Sequence, residues 1–155
     1  MSVATARDHG FITQVLALAQ SSRDAGHHPF AALVVGADGS VIAQAMNASA
    51  SDRTAHAEMN ALRAASARFS PQELAGATLY SSTEPCAMCA GAAYWAGIGR
   101  VVYALAETSL LELTGADPEN PTLSLPCREV FARGQRTIEV LGPLREDEAR
   151  RPHEG

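Results

Sequence analysis

The run Thr54-Ala55-His56-Ala57-Glu58-Met59-Asn60, answered later by Pro85-Cys86-Ala87-Met88-Cys89, constrains this chain more than any other feature. His56, Cys86 and Cys89 offer one nitrogen and two sulfurs, a donor set that suits a tetrahedral divalent ion such as zinc. Three protein ligands leave a fourth position for water, which marks a catalytic site rather than a closed structural one. Glu58 stands two residues from His56 and is expected to face the metal without ligating it. A carboxylate there takes a proton from activated water and passes it on.

Blander readings compete. A lone C-x-x-C also fits a redox dithiol, and a lone H-x-E carries almost no information. The combined order and spacing, with Pro85 before the first cysteine, discriminate far better. A structural zinc site wants a fourth ligand, and Cys127 is the one cysteine left over. A redox pair leaves His56 and Glu58 without a task. The catalytic reading leads, and a zinc-binding structural module is the non-enzyme alternative.

Charge narrows the partners. The net charge is −5, and all 12 basic residues are arginines spread along the chain, with the Arg128 to Arg136 group as the one candidate basic patch. Nucleic-acid affinity is largely phosphate neutralisation, so an acidic chain without a basic stripe is a poor RNA binder. With 46% hydrophobic and 19% charged residues over 155 positions, one domain with a real core is expected across 1–155. Three cysteines make no disulfide framework, and no signal-peptide core or membrane-length apolar run occurs. A cytoplasmic protein is expected.

Periodicity orders the elements. Ile12, Val15, Leu16 and Ala19 mark one buried face of a helix over Val3 to Ala25, stopped by Gly26. His27-His28-Pro29 leads into the apolar run Phe30 to Val35, a buried strand. Asp38-Gly39 turns the chain into a second strand, Val41 to Met46, ended by Asn47. Thr54 is the expected N-cap of a helix over Ala55 to Arg68. Thr78 to Ser81 is the third strand. A helix then runs from Pro85 through Trp95 to Gly97 or Gly99. Arg100 to Ala106 is the fourth strand, and Glu107 to Gly115 a short helix. Asp117 to Pro126 is a proline-rich loop, Leu125 to Arg133 a helix with Cys127 buried, and Thr137 to Leu141 a last strand. Residues 143–155 are highly charged and are expected to form a helix that frays into a disordered tail. This alternation predicts a three-layer α/β domain with a mixed sheet.

The paired H-x-E and P-C-x-x-C strings resemble the signature of the zinc-dependent cytidine deaminase-like superfamily. His28-Pro29-Phe30, the Thr54 to Glu58 run, Ser82-Thr83-Glu84-Pro85-Cys86 and Tyr94-Trp95-Ala96 are most similar to its guanine deaminase branch. The resemblance spans residues 5 to 115 and fades beyond. It implies a three-layer α/β/α fold with a mixed five-stranded sheet, one zinc ion per chain on His56, Cys86 and Cys89, and Glu58 as proton shuttle. The implied reaction is hydrolytic deamination, with guanine to xanthine as the leading case, water attacking the amino-bearing ring carbon and ammonia leaving. Alternatives are a tRNA adenosine deaminase, or a deaminase of cytosine, a nucleoside, a triazine or a pterin. A homodimer is implied as well.

The resemblance also suggests substrate contacts. His28 and Phe30 precede the first strand, which in the family starts beside the substrate. Asn47, ending the second strand, would donate to and accept from the base. Ala57 lies within the zinc run, and Glu84 beside the cysteines is the strongest acidic contact. Trp95 reads first as core or dimer contact and second as a stacking platform. Asp117, Glu146 and Glu148 are further acids that would accept from a purine, with solvation the better reading for both glutamates.

Overall fold

The computed structural model describes residues 3–115 and 117–154. Five strands, β1 (Ala31–Val35), β2 (Val41–Met46), β3 (Thr78–Thr83), β4 (Arg100–Leu105) and β5 (Glu139–Leu141), form one sheet in the order β2-β1-β3-β4-β5. β1 runs antiparallel to both β2 and β3, and β4 runs parallel to both β3 and β5. The sheet is mixed and five-stranded, as expected. The helices are α1 (Ala6–Asp24), α2 (Ala57–Ser66), α3 (Pro71–Leu74), α4 (Ala87–Ala96), α5 (Glu107–Thr114), α6 (Cys127–Ala132) and α7 (Glu146–Arg150), with a 3-10 turn over Arg151–His153.

Strand alternation sorts the core into two halves. Ala32, Val34, Leu79, Val101 and Tyr103 face one side and pack with Ala61, Leu62 and Ala65 of α2, Ala90 and Ala93 of α4, and Phe131 of α6. Ala31, Leu33, Tyr80, Val102 and Ala104 face the other, against Ile12, Val15, Leu16 and Ala19 of α1. β1 is buried on both faces, which explains why it reads as an unbroken apolar run.

α1 is tied to the sheet through Asp8. Its side chain closes a capping box with Thr5, whose hydroxyl accepts from Asp8 N–H. The same carboxylate accepts from Tyr80 Oη at 2.6 Å and from both Arg100 terminal nitrogens at 2.7 and 2.8 Å.

The helix that carries the first half of the site starts later than its sequence suggests. Thr54 is no N-cap: its N–H and hydroxyl both donate to Asp52, and His56 takes the N-cap position of α2. Ser70, with Pro71 after it, opens α3 through a second capping box with Glu73. Gly97, left-handed at φ 99°, ends α4.

The C-terminal segment is not a frayed tail. Ala149 and Pro152 are buried, and Arg23 of α1 donates to the carbonyls of Pro152 and Glu154. Its charges had hidden that three of its side chains make intramolecular bonds: Arg145 pairs with Glu148 at 2.6 Å, and Glu146 caps a neighbouring backbone N–H. Gly155 lies outside the described residues.

Candidate active site

Chain reversal brings distant residues to one end of the sheet. Ala31 pairs with Met46, Ala32 with Ser81, and Thr83 with Leu105. The start of β1 and the ends of β2, β3 and β4 therefore meet, and the residues just outside them converge: Phe30, Asn47, Glu84 and Glu107. A cavity of about 960 Å³ opens there.

His56 and Cys86 are the N-cap residues of α2 and α4, both with extended backbone, so their side chains project from the helix ends. His56 Nδ1 lies 3.6 Å from the sulfur of Cys86 and 3.6 Å from that of Cys89. All three donor atoms fall within 4.8 Å of one another. Tetrahedral zinc with its usual bond lengths sets nitrogen and sulfur about 3.6 Å apart, so both nitrogen–sulfur distances match the ion.

The electrostatics of the cluster also call for a cation. The thiols share a proton: hydrogen bonding from Cys89, opposed by burial and helped by His56, brings Cys86 down to about 4. The bond to Cys86 and burial push Cys89 the other way. Burial first, then the Cys86 charge, raises Glu58 to about 7. His56 is raised through its bond to Cys86. A divalent ion would stabilise both thiolates and the buried carboxylate at once.

Residues 5–105 match the model of the cytidine and deoxycytidylate deaminase zinc-binding region. This chain belongs to that family. A probable cytosine deaminase of Schizosaccharomyces pombe is 38% identical over 150 residues, 96% of this chain and 91% of that protein. The guanine deaminase of Bacillus subtilis is 40% identical over 105 residues, 66% of this chain and 67% of it. A solved mutant protein in complex with 8-azaguanine superposes with a TM-score of 0.73 at 31% identity, covering 92% of this chain and 81% of that one. The chain is a hydrolytic deaminase of the cytosine, guanine and tRNA adenosine type.

Several expected contacts line the deaminase cavity: His28, Phe30, Asn47, Glu58 and Glu84. The His28 and Phe30 rings lie 6.3 Å apart, and Phe30 also touches His153 at 5.3 Å. Asn47 differs in role. Its Oδ1 already accepts from Ser49 N–H at 2.9 Å and Ser49 Oγ at 2.7 Å, so it offers a donor to a ligand rather than both functions. Glu84 differs more. Its oxygens accept from the backbone N–H of Glu107 at 3.1 Å and of Cys127 at 2.9 Å. It ties the first turns of α5 and α6 to the end of β3 and has no carboxylate oxygen left without a bond.

Other expected contacts lie elsewhere. Ala57 is fully buried in the core and does not line the cavity. Trp95 is 82% exposed, turned away from the buried Cys89-Ala90-Ala93 stripe of α4 and stacked edge-on against Tyr94. Asp117 accepts from Glu119 N–H in a turn, outside the lining, although its neighbours Pro118 and Glu119 line the mouth. Glu146 accepts from Ala106 N–H and anchors α7 to the end of β4. Glu148 pairs with Arg145.

Sequence reading missed Thr83, Met88, Glu107, Leu110 and Thr122, which also line the deaminase cavity. Glu107 had a usable signal: it is the first acid after the apolar strand Val101 to Leu105, and ligands gather beyond strand ends in α/β sheets. Thr122 had none, since only the fold brings its loop over the site.

Proposed function

We propose that this deaminase acts on a free nucleobase, with guanine to xanthine and ammonia as the leading reaction and zinc on His56, Cys86 and Cys89. Zinc bound there would supply the Lewis acid that makes water nucleophilic near neutral pH. Glu58, buried between the ligands and the cavity, would take one proton from the attacking water and deliver it to a ring nitrogen, then carry the proton of the newly added hydroxyl to the departing amine, so that the carbonyl forms as ammonia leaves.

The observation that carries the reading is the cavity. Its volume accommodates a bicyclic base, and Phe30 and Leu110 offer apolar walls while Asn47 and Glu107 offer polar contacts. Glu58, Glu84, Glu107 and Glu119 line it against the single arginine Arg53. Such a lining repels a phosphodiester, which supports a free base over tRNA. Cytosine is the second reading, supported by the Schizosaccharomyces pombe relative, whose match runs nearly end to end.

Ammonia release from guanine, cytosine, adenine and their nucleosides tests both readings, with Glu58→Ala as blank. Turnover of guanine above the others is expected. Preferential turnover of cytosine establishes the second reading, and silence on all free bases overturns both.

A further inference from the structure

Apart from Glu58, which stands beside the candidate metal ligands, the buried acids of the described residues are well provided for, with one exception. Asp8 takes four hydrogen bonds, and Glu84 takes two from backbone N–H groups. Glu107 is the exception. It is only 7% exposed, its backbone N–H donates to Glu84, and its carboxylate accepts no hydrogen bond among the described residues. Its Oε2 is sealed from solvent without a partner.

Two more side-chain atoms share that condition, Thr83 Oγ1 and Thr122 Oγ1. All three residues line the cavity that holds the metal-ligand set. Thr83 comes from the end of β3, Glu107 from the start of α5, and Thr122 from the loop between α5 and α6. Buried polar groups in native proteins are paired, and an unpaired carboxylate is the costliest kind to leave so. Three orphans gathered on one cavity wall mark a surface completed by a ligand.

We propose that Glu107 is the base-recognition carboxylate of this pocket, accepting a hydrogen bond from a ring N–H of the substrate other than the leaving amine, with Thr83 and Thr122 completing the polar wall. This rests on the free-base reading above and sharpens it. A site built around such an acceptor rejects ligands in which the matching N–H is alkylated, because the buried carboxylate stays unpaired.

The test uses zinc-loaded Glu58→Ala protein, which binds without turnover, and equilibrium dialysis with guanine, 1-methylguanine, 9-methylguanine, cytosine and 1-methylcytosine. Adding Glu107→Ala should weaken the better-bound parent base by about 10- to 100-fold. It should also erase the preference for that base over one of its methylated forms. Glu107→Gln keeps the shape and serves if the alanine variant does not fold: it should reduce the same preference, with zinc content unchanged. Binding that is indifferent to both substitutions, or an undiminished methyl preference, overturns the role of Glu107 while leaving the free-base reading standing. Failure of the Glu58→Ala protein to bind any free base overturns that reading and the role together.

Discussion

Position decides what each carboxylate does here, since three acids crowd one cavity in different states of satisfaction. Glu84 is saturated by backbone donors, Glu58 lies beside the thiolates, and Glu107 is unpaired. Glu58 follows His56 by two residues at the same helix start and stands beside both thiols. Glu58→Gln should therefore lower kcat by about a thousandfold, the upper range for loss of a general acid–base group. Metal analysis should still find one zinc per chain. Cys86→Ala should give the opposite pattern, with zinc itself lost. A Glu58→Gln enzyme with near-normal turnover would remove the shuttle role.

At the scale of elements, the site is a meeting of helix starts. His56 and Cys86 cap α2 and α4, and Glu84 accepts from the first residues of α5 and α6. Helix N-termini carry unpaired N–H groups and a positive dipole end, so thiolate and carboxylate are favoured there. Glu84→Gln keeps one acceptor oxygen and sets an NH2 against the other N–H. We expect a stability loss of about 2–3 kcal/mol from the charged hydrogen bond removed and the donor left buried. Urea unfolding measures it, and a loss below 0.5 kcal/mol (about the noise of a surface substitution) would show that the strap is dispensable. Some activity should fall too, because the strap holds Glu107 in place.

For the whole molecule, the Asp8–Arg100 pair joins α1 to β4 through the core edge. Bonding to Arg100 above all holds the Asp8 carboxyl well below its usual range, with Thr5 and Tyr80 helping and burial opposing. Its folded value is depressed, so its contribution is fully present above the unfolded value near 4 and is lost as pH falls below that. Acid unfolding of the parent should steepen below about pH 4, and Asp8→Asn should flatten that region. The variant should also lose about 3–5 kcal/mol at neutral pH, the cost of stranding one partner of a buried pair. Parallel pH profiles for the two proteins would rule the pair out as the acid-sensitive element. Among the described residues no helix is long and apolar enough to cross a membrane.

The candidate metal-ligand set, Glu58 beside it and the succession of strands were legible in the amino-acid sequence because each is local. His56 and Glu58 share a helix start, Cys86 and Cys89 share another, and the strands declare themselves by apolar runs between turns. The walls of the cavity were not. Whether Glu84 or Glu107 is free depends on where α5 and α6 begin relative to β3, and both acids look alike in sequence. Trp95 reads as a core residue or dimer contact until the phase of α4 turns it outward, away from the core, and Glu146 reads as a solvated charge until α7 docks on β4. Short-range spacing decides which donor atoms gather into the His56, Cys86 and Cys89 cluster. Long-range packing decides which polar groups find partners, and Thr83, Glu107 and Thr122, which do not, are left on the cavity wall.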